Sequence, residues 1–404
     1  MTGARRRNRL RAATLLCSSA ILFACGAGRF KDQPVIWRVH DTRSIAEPEE
    51  RPFDKYSLGL DWFITRRLTR ALELPDKEPA HDTNALDEVP DSTWFQNRIG
   101  VRNVTPAEAV RGTGGSGPPQ APLIVVSGKS GGANPGFLVK DARGVTFVVK
   151  FDTLDNPEMQ TATGVIVNRI FWALGYHVPN DTLFYFARSE LRLAPGATKK
   201  NDLKQKLPMT WDDVEEALAT SPRLSDGRYR AFASEFLKGK PLGGFSAEGV
   251  RDDDPNDTIP HEHRREVRAL RVFAAWTGHT DMKEDNTLDM YVEENGKRFI
   301  RHYLIDFGEA LGAHQAEKRS YEDGYEHAFD WERQGRAAVS FGLWKRPWED
   351  QTETPWLSIG AFSAEHFDPV YWREAYPYFP FFELDAADAF WAAKLVMRFT
   401  RPVL

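Results

Sequence analysis

The chain has 404 residues, of which 41% are hydrophobic and 27% charged, with a formal net charge of −5; this is enough for one large or two ordinary domains and is neither a disordered nor a polytopic composition. The first 24 residues hold five arginines (Arg5, Arg6, Arg7, Arg9, Arg11) and no acid, leaving 48 basic against 58 acidic residues, a net of −10. A chain this acidic, without a basic stripe, argues against nucleic acid as a partner, because such binding depends on neutralising phosphates.

At the N-terminus the basic segment runs into an apolar stretch, Ala12–Ala24, too short for a spanning helix. It closes on Leu22-Phe23-Ala24-Cys25-Gly26. That ending resembles the lipobox of bacterial lipoproteins, with Phe23 bulkier than the residue usual there. The resemblance implies a signal peptide over 1–24, acylation of Cys25 and a lipid-anchored protein of the cell envelope; ordinary secretion or a retained anchor is the alternative. Both cysteines, Cys17 and Cys25, lie in this segment, so a mature chain keeps only Cys25 and forms no intrachain disulfide.

Residues 25–120 read as a tether and N-terminal extension. The tether, 26–56, is polar and proline-punctuated; a helix-like stretch follows around Leu58–Leu74, then a loop-rich piece with Trp94 and Phe95, then a glycine-rich linker over 111–119. The texture changes at residue 121. Leu123–Val126 and Gly136–Val139 read as strands around a glycine-rich turn, and Asp141-Ala142-Arg143-Gly144 turns the chain into a third strand, Val145–Phe151. A helix is expected from Pro157 to Leu174, with Gly175 as C-cap and a buried face of Met159, Ala162, Val165/Ile166 and Ile170. A short strand over 182–187 precedes an insertion, 188–225, whose one helix begins after Thr210. Arg228–Leu237 is strand-like, 262–276 is an apolar-rich helix, and Leu288–Glu293 and Lys297–Ile305 form a hairpin about Asn295-Gly296. Strand and helix do not alternate, which disfavours a doubly wound sheet and favours a two-lobed α+β fold.

Two motifs flank the hairpin. Before it stand His279, Asp281, Lys283 and Asn286, spaced H-x-D-x-K-x-x-N; after it stands Asp306-Phe307-Gly308. The pair resembles the catalytic loop and D-F-G motif of protein kinases, with Thr280 in place of the usual arginine. The order of elements is similar to atypical bacterial kinases of the HipA-like and CotH-like groups, and no alanine-proline-glutamate motif follows. A hairpin returns its second strand beside its first, so Asn286 and Asp306 are expected to emerge as neighbours.

The resemblance implies a kinase-like core over 121–312, with 313–404 as a helical, aromatic-rich part of the C-lobe. It implies Asp281 as catalytic base, Lys283 as neutraliser of the moving phosphoryl group, and Asn286 and Asp306 as Mg²⁺ ligands. Phe147-Val148-Val149-Lys150 resembles the strand whose lysine meets ATP phosphates, with Glu158 as its ion-pair partner. Gly131 and Gly132, in the loop Gly128–Gly136, stand where phosphates are covered, although the loop is not G-x-G-x-x-G. Glu235-Phe236-Leu237 falls at the expected hinge. ATP and Mg²⁺ are the implied cofactors, and nucleotide, an unidentified phosphoacceptor and the membrane the implied partners.

The rival from another class is a pseudokinase lipoprotein, a nucleotide- or partner-binding scaffold, which the scarcity of ATP outside the cytoplasm favours. A carbohydrate-binding surface built on the aromatic-rich C-terminal part, with Trp344, Trp348, Trp356, Trp372 and Trp391, leaves 279–308 unexplained. Singly, Asp281, Asn286 and Asp306 read as turn residues, Lys150 as a solvent-facing strand lysine and Glu158 as a helix-dipole acid.

Overall fold

The computed structural model describes residues 32–72, 77–129, 134–201, 205–314, 322–346, 348–349, 362 and 368–404. The N-terminal extension holds α1 (Lys55–Leu60), a π turn (Asp61–Thr65), α2 (Arg66–Leu72) and α3 (Pro106–Arg111). Then come β1 (Leu123–Gly128), β2 (Gly136–Lys140), β3 (Thr146–Lys150), α4 (Met159–Leu174), β4 (Asp181–Phe186), β5 (Leu191–Lys200), β6 (Lys206–Pro208), α5 (Trp211–Ala219) and β7 (Tyr229–Glu235). Among the described residues these strands make one sheet in the order β4-β7-β3-β2-β1-β5-β6, antiparallel except where β5 lies parallel to β1. Its apolar face buries Val125, Phe137, Val139, Phe147, Val149, Phe184 and Phe186.

The second lobe holds β8 (Lys240–Gly243), α6 (Arg265–Thr277), the hairpin β9 (Thr287–Glu294) and β10 (Lys297–Leu304), α7 (Trp331–Val339), α8 (Phe379–Glu383) and α9 (Ala386–Val396). The hairpin turns on Asn295 (φ 52°) and Gly296 (φ 73°), the left-handed pair that two-residue turns favour. Its core packs α6 against α9 and against Phe171 and Leu174 of α4, and takes in Trp372, Tyr378, Phe379, Phe381 and Trp391. Those five aromatics are core, whereas Phe341, Tyr371 and Phe390 of the same C-terminal part are exposed. The two-lobed α+β architecture expected from the sequence is the one observed, with α4 spanning both lobes.

Three local readings differ from expectation. Residues 188–225 are not one helix in an insertion: β5 and β6 extend the sheet before α5. The stretch read as a tether is docked along the body from residue 36, where Ile36 O accepts from Asn84 Nδ2. Val39 N–H bonds Asp91 O, Ile45 N–H bonds Arg298 O, Arg51 N–H bonds Leu242 O, and the Arg51 guanidinium pairs with Asp252. Its prolines and charges suggested freedom, but the groups that hold it, from Asp91 to Arg298, are remote in sequence. Trp94, which had no expected role, stacks on His302 at 3.6 Å, and Phe95 is buried between Tyr176 and Trp391.

The third difference is the phase of α4. Its buried face is Gln160, Thr161, Gly164, Val167, Asn168 and Phe171, whereas Ile166 is half exposed. Polar residues are tolerated inside because each finds a partner. Asp152 accepts from the Thr161 amide (2.9 Å) and hydroxyl (2.5 Å), and Asn168 donates to Pro179 O (3.0 Å) and Asp181 (2.8 Å). With Asp152 holding its first turn, the helix starts at Met159, leaving Glu158 outside in a left-handed conformation (φ 68°).

Candidate active site

The cleft between the lobes gathers the predicted residues. From the sheet comes Lys150, at the end of β3 and registered opposite Phe232. From the other lobe come Asp306, just past β10, and the loop between α6 and β9. Lys150 Nζ lies 2.7 Å from Asp306 Oδ1, closing an ion pair across the cleft. Asp306 adopts φ 61°, a left-handed conformation that Asp tolerates better than most residues and that clusters at functional sites. Burial in the cleft pushes its carboxyl up, but the ammonium groups of Lys150 and Lys129 outweigh burial and hold it below the ordinary range.

Opposite, the loop is wired internally. Lys283 Nζ donates to Asp281 Oδ1 at 2.5 Å. Asn286 Nδ2 donates to the Asp281 carbonyl (2.7 Å) and to its Oδ2 (2.8 Å). Both amide hydrogens are thus spent within the loop, leaving Asn286 Oδ1 as the acceptor for anything in the cleft. His279 is fully buried, its Nδ1 donating to Glu309 O at 2.9 Å, and burial pushes it below its ordinary pKa, toward the neutral form. Its ring packs with Phe171 and Phe307, anchoring the loop to the segment that carries Asp306.

Two cavities meet at Lys150 and Asp306. One, about 620 Å³, is polar and takes in Lys129, Asp281, Lys283, Asn286, Glu309 and Tyr376. The other, about 260 Å³, is walled by Val148, Phe236, Leu237, Leu288, Met290 and Ile305. A polar cavity joined to an apolar one fits a ligand with a charged end and a flat apolar end. Gly136, paired with Lys150 across β2 and β3, must be glycine: a Cβ there would stand 2.1 Å from Val149 O.

Of the predicted residues, Lys150, Asp281, Lys283, Asn286 and Asp306 converge here. Glu158 does not: it is exposed at the head of α4, and Lys150 pairs with Asp306 instead. From α4, Gln160, Thr161 and Gly164 line a small cavity together with Lys150, Asp306 and Gly308, and Gln160 accepts a hydrogen bond from Asn134 Nδ2. Gly131, Gly132 and Cys25 lie outside the described residues. Of Glu235-Phe236-Leu237, all three line the apolar cavity, and the Glu235 carboxylate receives the Ser116 amide and hydroxyl, both at 2.7 Å.

Beyond Gln160 and Tyr376, two charged site residues stand out that were not anticipated from the sequence. Lys129, at the mouth of the glycine-rich loop, donates to Asn134 O at 2.9 Å, and burial together with Lys150 pushes its ammonium down to about 8. Glu309, directly after the D-F-G triplet, is pushed up to about 7 by burial and by the Asp281 carboxylate. Adjacency to Gly128 and to Gly308 was the available signal for both.

No protein-family model matches the sequence, and no curated protein matches it. Among solved structures, a Golgi casein kinase with Mn and ADP bound is similar over 48% of this chain and 55% of its own, at 10% identity and a TM-score of 0.27. A Golgi casein kinase structure is similar over 69% of this chain and 77% of its own (11% identity, TM-score 0.28). An alpha kinase from Entamoeba histolytica is similar over 43% of this chain and 59% of its own (18% identity, TM-score 0.19). Only about half of the first structure's length is spanned. At these scores the likeness assigns no activity to this chain.

Proposed function

We propose that the chain is an ATP- and Mg²⁺-dependent phosphotransferase of kinase-like type, acting on a hydroxyl-bearing protein or small molecule at the cell envelope. The observation that carries this is the meeting of Lys150 and Asp306 across the cleft, opposite Asp281, Lys283 and Asn286 and beside an apolar cavity. The donor chemistry suits a hard cation: Asp306 and Asn286 offer oxygens, and the Lys150 ammonium already neutralises Asp306. Bound Mg²⁺·ATP would supply the phosphoryl group and the charge that offsets it. Lys150 would turn to the phosphates, Asp306 and Asn286 would hold the cation, and Asp281 would orient the acceptor hydroxyl and take its proton. The acceptor oxygen–phosphorus bond forms as the γ-phosphorus–oxygen bond to ADP breaks. The envelope location is read from Leu22–Cys25.

A second reading, a nucleotide-binding scaffold without transfer, has one observation in its favour. The α4 residues lining the small cavity that Lys150 also lines, Gln160, Thr161 and Gly164, include no carboxylate. Thermal shift with ATP and Mg²⁺, then label transfer from γ-labelled ATP, separates the two. At a hundred times its dissociation constant a ligand adds about 2.7 kcal/mol, readily seen in melting. Absence of a shift with ATP, ADP or GTP, with or without Mg²⁺ or Mn²⁺, removes both readings; a shift without any transfer leaves the scaffold.

A further inference from the structure

The catalytic loop contains a charge that faces away from the cleft. Between Lys283 and Asp285, which both line the polar cavity, Glu284 points into the protein and is fully buried. A carboxylate without partners there would be strongly unfavourable. Its partners come from outside the 121–312 core. Trp62 Nε1 donates to Glu284 Oε2 at 2.9 Å, and Arg66 Nη2 bonds Glu284 Oε1. The two side chains stand four residues apart, on one face of the helical segment 55–72, where a π turn, a frequent mark of functional sites, interrupts the α-helix.

The same two residues reach the other wall of the cavity. Arg66 Nη1 donates to Pro377 O at 3.1 Å, and the Trp62 ring lies 4.7 Å from that of Tyr376. Tyr376 lines the polar cavity and carries Lys283 Nζ over its ring at 4.5 Å. Arg66 is itself steadied by Asp61, Nε to Oδ2 at 2.7 Å.

We infer that Trp62 and Arg66 are positioning residues: through Glu284 and Tyr376 they fix the loop that carries Asp281, Lys283 and Asn286. The N-terminal extension is therefore part of the active site rather than a spacer. The inference rests on the phosphotransferase reading for its kinetic consequence but not for its structural one.

The test uses the full chain with Trp62→Phe, Arg66→Met, Glu284→Gln and the double variant Arg66→Met/Glu284→Gln. Hydrogen exchange across residues 279–286 is measured with kcat and nucleotide Kd. We expect faster exchange confined to that loop and to the Tyr376 segment. kcat should fall about 10²-fold, the scale of a 1 Å misplacement, with Kd within twofold. In the double variant, which leaves no lone buried charge, melting should recover while kcat stays low. Trp62→Phe keeps the packing and serves if Arg66→Met does not fold. Unchanged loop exchange in every variant overturns the inference, as does recovery of kcat together with melting in the double variant. If the wild type transfers no phosphoryl group, the phosphotransferase reading falls, and loop exchange alone decides whether Trp62 and Arg66 hold the loop.

Discussion

Asn286 binds Asp281 twice, through the carbonyl and through the carboxylate, so the proposed metal ligand and the proposed base are oriented by one another. Asp281 also receives Lys283, which leaves its carboxylate committed to two donors and aimed along the cleft. Replacing it by Asn keeps the shape but removes the charge and the proton acceptor. Asp281→Asn should slow transfer from γ-labelled ATP by about 10²–10⁴-fold, with nucleotide-induced melting shifts within a few degrees of wild type. Equal transfer by both proteins would show that Asp281 is not the base.

Gln160 and Glu158 separate the observed helix phase from the expected one. Glu158→Ala should leave nucleotide Kd and turnover within twofold, because its side chain is exposed and Lys150 pairs elsewhere. Gln160→Ala opens space beside Lys150, Asp306 and Gly308. It should weaken nucleotide binding several-fold by equilibrium titration. The reverse ranking would restore Glu158 as the partner of Lys150.

The Glu309 carboxyl gives a signed pH dependence. Its pKa in the folded chain, pushed up to about 7, exceeds the ordinary value of 4.5. Between those values the folded protein holds a proton that the unfolded chain has lost, so the contribution is complete below about 4.5 and is lost as pH rises through about 7. Tm should therefore decline from pH 5 to pH 8, and Glu309→Gln should flatten that decline. At roughly 2–4 °C per kcal/mol for a large domain, the difference is measurable by calorimetry. A wild type and variant with parallel Tm profiles would show that Glu309 does not titrate there.

Membrane attachment is predicted to depend on Cys25. Cys25→Ala should move the protein from the membrane to the soluble fraction and abolish incorporation of radiolabelled fatty acid. A wild type that is soluble and unlabelled would rule out the anchor. No described helix is long and apolar enough to cross a membrane.

What the sequence disclosed, and what it hid, follows from distance along the chain. Asp281, Asn286 and Asp306 were legible because short spacings and an Asn-Gly turn fix their proximity almost by themselves. The sheet strands β1 to β3 were legible for the same reason. The inward face of α4 was misread because it is built from Gln160, Thr161 and Asn168, whose burial depends on Asp152, Pro179 and Asp181. β5 and β6 were missed because β5 gains its place by parallel pairing with β1, well upstream of it, and carries few buried apolar residues. Glu284 drew no reading from the sequence, because its partners, Trp62 and Arg66, belong to a part of the chain remote from it.

The docking of residues 36–51 along the body sets a leash. Pairing with the body begins at Ile36, whose carbonyl accepts from Asn84 Nδ2 at 3.1 Å, and continues at Trp37, whose carbonyl accepts from the Asp91 amide at 2.8 Å. A chain acylated at Cys25 would keep only ten positions between anchor and body, a reach of at most about 40 Å when fully extended at roughly 3.3–3.6 Å per residue. The cleft would then sweep a shallow zone above the bilayer rather than the whole compartment. Acceptors held at the same surface would meet it at the millimolar effective concentrations that short tethers create. If the proposed transfer holds, lengthening that interval with an inserted Gly/Ser stretch should widen the range of acceptors modified in membranes while leaving transfer by the detached protein unchanged.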